Sequence, residues 1–456
     1  MIQAHPTMGQ EPGIFISPTR QPLQRGLLFL GILFSQVLYA KLRISGLAIG
    51  GGYALIFLFM AVMVHTESFY PRDLRRIFLL GGGLIFTGRL MPYLVTGNPA
   101  RLETMILFFT SLATGYLVYV LVRRRAPDAL WTSLDILFYT AFILSLLEPL
   151  LPALQSFLYE IRVALYPEHI YGGHARDMSV FGKSRAIFLF SEPAHLAFFL
   201  ITFGYLKILR QGPNASNRDY LKVTLILILS LWANRSMVFV VGIAVMGHAY
   251  LVQTFIERLS LGKLLRLAAM GLAAMGAMLY AWITLLPRIT TMVQGTDFSS
   301  AARIISPIIS TAAVLGDYPW FGTAIGRGDI LGQYILSAMA HLGFSHRLGD
   351  FSMEHMETLM PNYFCLHWSY NGLVGGIILL WIILKLYRIQ SRKKCLLVFV
   401  PIVLWGWCIG LYLGSKIWIF MALLSATYDR FHSREVNMQN APEPYQSQVP
   451  EKENPA

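Results

Sequence analysis

Charge is scarce in this 456-residue chain: 13% of its residues are Asp, Glu, Lys or Arg, against about a quarter in soluble domains. A soluble fold of this length would have to present an almost uncharged surface, so that class is excluded. Cysteine is scarcer still. Cys365, Cys395 and Cys408 have no spacing that makes a disulfide framework or a zinc site. No glycine-rich phosphate loop is present, which argues against an ATP-driven pump. No Asp-x-Asp pair is available to hold Mg²⁺. There is no visible internal repeat of the kind that builds many transporters. No cleavable signal pattern is expected, because residues 1–24 are polar and broken by proline and glycine ahead of the first apolar run. Neither a cofactor nor a metal is expected.

Apolar residues, by contrast, make up 55% of the chain and recur in long runs from residue 27 to residue 427. A bilayer-spanning helix needs about 20 of them. The pattern predicts an all-α polytopic membrane protein with about twelve transmembrane helices. They fall near 25–40, 44–64, 77–96, 104–122, 130–150, 186–206, 221–233, 236–254, 265–286, 364–384, 396–413 and 416–429. The expected organisation is a disordered cytoplasmic N-terminus (1–24), helices 1–9 (25–286), a large periplasmic loop (287–363), helices 10–12 (364–429) and a disordered tail (430–456). The stretch 221–254 is either one tilted helix or two short ones meeting at Asn234-Arg235-Ser236.

The positive-inside rule chooses between these. With two helices there and the N-terminus inside, most of the 37 basic residues fall on inner segments, including Arg72, Arg75 and Arg76, Arg123 to Arg125, and Lys385 to Lys394. With one helix, the later basic loops would move outside. The net charge of +13 is thus a matter of topology rather than of nucleic acid, and no nucleic-acid partner is expected. The lipid bilayer is the expected partner.

Four arginines remain on the outer side at places that draw notice: Arg185, Arg235, Arg303 and Arg327. A guanidinium stays charged at any depth and binds phosphate through a planar fork. Placed at the membrane surface, such a group can hold a lipid-borne pyrophosphate and stabilise the charge that develops when a sugar leaves it. Arg185 alone would simply snorkel to head groups, and a loop arginine such as Arg303 is ordinarily just solvated. Arg235 is harder to reduce to structure, because it interrupts a long apolar stretch where Gly or Asn would serve a turn at less cost. Glu192, between Ser191 and Pro193, sits in a helix-start pattern. His355, flanked by Glu354 and Glu357, heads the outer histidines as a base. Glu192 and His355 are the catalytic candidates.

In order along the chain, "RAIFLFSEPAHLAFFL" (185–200), "NRSMVFVVGIAV" (234–245), "AARIISPIISTAAVLGDYPWFGTAIGRG" (301–328) and "NYFCLHWSYNGLVGGIILL" (362–380) resemble motifs of the O-antigen polymerase/O-antigen ligase superfamily, the Wzy-like integral membrane enzymes. Residues 180 to 385 carry the likeness. It implies a GT-C-like architecture in the bacterial inner membrane and no cofactor. It implies a glycosyltransferase that polymerises oligosaccharide repeat units carried on undecaprenyl pyrophosphate, together with a chain-length regulator as a partner. Arg185, Arg235, Arg303 and Arg327 would bind the pyrophosphate. Ligases of the superfamily place a His before the Asn that stands here at Asn362; this chain has Pro361, which favours the polymerase. The ligase, and a flippase or exporter of the lipid-linked glycan, are the alternatives.

Overall fold

The computed structural model describes residues 21–36, 41–44, 47–50, 52–63, 70–125, 128–166, 177–178, 184–212, 215–236, 238–256, 298, 301–344, 359–406 and 414–432. The described elements are helical except for one antiparallel hairpin. In order they are α1 (Gln21–Gln36), β1 (Lys41–Ile44), β2 (Leu47–Gly50), α2 (Gly52–Met63), α3 (Pro71–Thr96), α4 (Leu102–Arg125), α5 (Asp128–Leu147) and α6 (Pro152–Leu165). Then come α7 (Pro193–Gln211), α8 (Asn217–Asn234), α9 (Val238–Ile256), α10 (Ser306–Asp317), α11 (Gly328–His341), α12 (Tyr363–Leu386), α13 (Val400–Gly406) and α14 (Ser415–Phe431). Single π-helical turns interrupt α3 at Phe86–Leu90, lead into α10 at Ala301–Ile305 and lead into α13 at Cys395–Phe399.

Four of these helices, α3, α4, α5 and α12, are long and apolar enough to cross a bilayer. The structure therefore agrees with a helical membrane protein. The expected break in 221–254 is present: α8 ends at Arg235, which caps it in the left-handed region with φ 52°. The span expected over 44–64 needs correcting. Lys41–Ile44 pairs with Leu47–Gly50 in an antiparallel ladder, and the helix begins only at Gly52. Gly50, Gly51 and Gly52 explain the late start, since consecutive glycines lose the most entropy in a helix. The helix expected from residue 186 likewise begins only at Pro193. The span expected at 265–286 lies outside the described residues.

The core is built around α7, where nearly every residue from Pro193 to Leu209 is buried. Helices α5, α8, α9 and α14 surround it. Helix α14 also lies along α4, where Gly115 allows the approach: a Cβ there would come within 2.9 Å of Trp418. The segment 301–344 is not a loose loop, since α10 and α11 pack on each other and α10 on α12.

Helix α12 is broken at Gly372, with φ 63° and ψ −169°, and the turn after α10 fills the break. The amides of Thr323 and Ala324 donate to the carbonyls of Ser369 (2.9 Å) and Tyr370 (3.1 Å). The amides of Leu373 and Val374 donate to Pro319 O (2.8 Å) and Trp320 O (3.0 Å). A broken helix at membrane depth needs such substitutes, because lipid offers its freed groups no partner. Gly322 and Gly372 meet backbone to backbone, with no room for a Cβ on either.

Candidate functional site

Residues 184–192 run into the core without helical structure, so their backbone groups need partners from elsewhere. Glu148, at the end of α5, provides them. Its Oε2 accepts from the amides of Ile187 (2.8 Å) and Phe188 (2.7 Å), and its Oε1 accepts from Arg162 Nη1 at 2.7 Å. The Arg162 guanidinium on α6 also donates to Phe188 O at 2.6 Å. Glu148 and Arg162 are 2% and 4% exposed. From the other side, Asn234 Nδ2 donates to Ala186 O (2.6 Å) and Pro193 O (3.0 Å), and the Ala186 amide donates to Ala233 O. The α8–α9 turn is thereby tied to both ends of the 186–193 segment. This tie brings the neighbourhoods of Arg185, Glu192 and Arg235 together.

The buried Arg185 pairs with Asp177 through Nε at 3.0 Å. A charge taken out of water requires such a partner, and the pair makes Arg185 an anchor for the segment. Glu192 stands at the N-cap position of α7, its half-exposed carboxylate making no bond to the helix amides, and Pro193 opens the helix. Ser191 Oγ bonds His195 Nδ1 at 2.8 Å. Arg303, on its π-helical turn, reaches Glu192 Oε2 at 3.7 Å, and the carbonyl of Arg303 accepts from Asn362 Nδ2 at 3.2 Å. Asn362 in turn caps α12 through the Cys365 amide. Lys416, in the first turn of α14, lies within electrostatic range of Glu192, and Lys416 and Arg303 both act on His195.

The result is a half-exposed carboxylate and an imidazole beside two cations, with Arg185 and Arg235 on the segments directly behind. Cations in such a group can hold an oxyanion, and the carboxylate can take up a proton. Among the described residues, no group of three or more His, Cys, Asp or Glu side chains could hold a metal ion.

Arg327 is placed elsewhere. It pairs with Asp329 (Nη2 to Oδ2, 2.8 Å) and donates to Asn98 Oδ1 at 3.3 Å, beside Arg89 and Arg101. The four arginines thus differ in setting: Arg303 meets Glu192, Arg185 is held by Asp177 in the segment before it, Arg235 caps α8 next to the Asn234 tie, and Arg327 lies in a second group. His355 lies outside the described residues. Sequence reading did not single out Glu148, Arg162, Asn234 or Lys416. An acid near the end of an apolar span was the one available signal for Glu148. No known protein family, curated protein or solved structure matches the chain.

Proposed function

We propose that the protein is a membrane glycosyltransferase that polymerises undecaprenyl-pyrophosphate-linked repeat units into a surface polysaccharide, at the outer face of a bacterial inner membrane and in a chain of twelve spans. The observation that carries this reading is the meeting of Glu192 and Arg303 over the segment that Asn234 ties to the Arg235 turn. Each comes from one of the motifs that resemble the polymerase/ligase superfamily. In the reaction, an acceptor hydroxyl attacks the anomeric carbon of the lipid-linked glycan. The bond from that carbon to the pyrophosphate oxygen breaks, and Glu192 takes the hydroxyl proton. The charge left on the pyrophosphate is met by Arg303, Arg235 and Lys416. Arg185, held by Asp177, positions the segment. Holding two membrane-tethered substrates together adds a large proximity contribution.

The test is the chain length of the surface glycan in a deletion strain complemented with variants. Arg235→Lys keeps the charge and loses the planar fork, so long-chain glycan should disappear while the protein still inserts. Single repeat units should remain attached to the lipid anchor. Absence of any attached glycan would point to the ligase or exporter instead. Normal chain length in both Arg235→Lys and Arg303→Ala would defeat the reading.

A further inference from the structure

A second group of arginines lies around a cavity of about 510 Å³ lined by Arg89, Arg101, Glu103, Arg327 and Asp329. Three separate segments contribute, and backbone hydrogen bonds hold them together. The Ala100 amide donates to Gly88 O at 3.0 Å, next to Arg89, and the Arg101 amide donates to Ile325 O at 3.2 Å, two residues before Arg327. Arg89 sits on the π-helical turn of α3, and Nη1 reaches Ala100 O only at 3.5 Å. Such turns recur at functional sites because they re-aim one side chain without ending the helix. A structural ion pair explains Arg327 and Asp329, which bond closely. It does not explain Arg89, an exposed cation on the membrane-length helix α3, where an ionisable side chain marks a functional site by default. The lining carries three cations against two carboxylates, so it favours an anion.

Directly beside the cavity, Ile85, Phe86, Leu90 and Leu94 of α3 and Leu102 and Ile106 of α4 are exposed. In a membrane protein that apolar surface faces acyl chains. A soluble anion would use the arginines and gain nothing from this surface. A lipid with a phosphate head group would use both.

We infer that Arg89, Arg101 and Arg327 form a binding site for the phosphate of a membrane lipid, separate from the Glu192–Arg303 group. The phosphate oxygens take the donors of Arg89 and Arg101, Arg327 adds its charge while bonded to Asp329 and Asn98, and the hydrocarbon lies along the exposed face of α3 and α4. The inference does not depend on the proposed reaction, and unaltered glycan in Arg235→Lys would leave it untouched.

The experiment is native mass spectrometry of the full chain in uncharged detergent. Phosphatidylglycerol, farnesyl diphosphate, diacylglycerol and inorganic phosphate are titrated separately. At least one phosphate-bearing lipid should form a one-to-one adduct at concentrations where diacylglycerol and inorganic phosphate form none. The tighter of the two lipids tells a resident phospholipid from an isoprenoid diphosphate. Arg89→Gln with Arg101→Gln should weaken that adduct by about tenfold or more, as expected for lost charge-assisted hydrogen bonds. Asp329→Asn removes a competing carboxylate and should tighten it, an effect in the direction that misfolding would not produce. Equal binding by the double Arg variant, an equal diacylglycerol adduct, or an equal inorganic phosphate adduct would each overturn the inference.

Discussion

Glu148 holds two amides and a guanidinium at once, and all of these groups are out of water. Glu148→Gln keeps the shape but leaves the Arg162 charge buried without a counter-charge. Breaking one side of such a pair costs about 3–5 kcal/mol, and thermal unfolding of the purified protein should show it. Arg303 is different, because its side chain is 30% exposed and its pair with Glu192 is long. Arg303→Ala should change stability by less than about 1 kcal/mol while abolishing long-chain glycan. Equal destabilisation by the two variants would contradict this division between a clamp and a working group. Asp329 also offers a pH test. Its hydrogen bonds from Arg327 hold its carboxyl below the ordinary value of 3.8. The folded value is the lower one, so the pair's contribution to stability is present above pH 3.8 and drains as pH falls through the folded value. Acid titration should leave the Arg327–Asp329 contact intact at pH 5. Loss of the contact above pH 5 would count against the assignment.

Among the helices, α12 makes the sharpest demand. Its break at Gly372 takes a backbone conformation that essentially only glycine adopts, and a Cβ there would meet the backbone of Trp320 and Phe321 at 2.5 Å. Gly372→Ala should therefore cost about 3 kcal/mol or more and lower the yield of folded protein. Leu373→Ala, one residue on but exposed, should leave both near the parent. The break also sets where the 319–324 turn docks, between the helix that follows Arg303 and the one that Arg327 precedes. The π-helical turns act in the same sense, since Arg89 and Arg303 both project from one.

Among the described residues, apart from the buried pairs Glu148–Arg162 and Arg185–Asp177, two sets of polar contacts stand apart. Asp73 pairs with Arg124, Asp135 with Lys207 and Arg210, and Asp429 with Arg123 and Lys394. The basic members of this set all belong to segments that the positive-inside rule places inside. Glu192 with Arg303, Asp329 with Arg101, and Asn98 with Arg327 form the other set, all expected outside. Cysteine labelling in whole cells tests the arrangement, with Cys365, Cys395 and Cys408 replaced by serine. Asn98→Cys and Asp317→Cys should react with an impermeant maleimide, and Arg392→Cys should react only after the membrane is opened. Reaction of all three in intact cells would refute the two-faced arrangement.

Much of this could be read along the chain. The membrane class, the position of most helices and the break at Arg235 follow from hydropathy and local turn chemistry. These are sums over neighbouring residues, and each residue's preference for lipid or water adds to them independently of the fold. The hairpin at 41–50 escaped that reading, because apolar character does not say whether a run is helical; hydropathy also started α7 too early, while the Ser191-Glu192-Pro193 pattern marked its start. The partners of charged groups escaped it as well. Glu148 serves Ile187 and Phe188 about forty positions later, Arg327 finds Asn98 more than two hundred positions back, and Arg185 is neutralised by Asp177. Which arginines share a ligand depends on distances in space between remote segments, and those distances follow from packing around α7 and from the plugged break in α12.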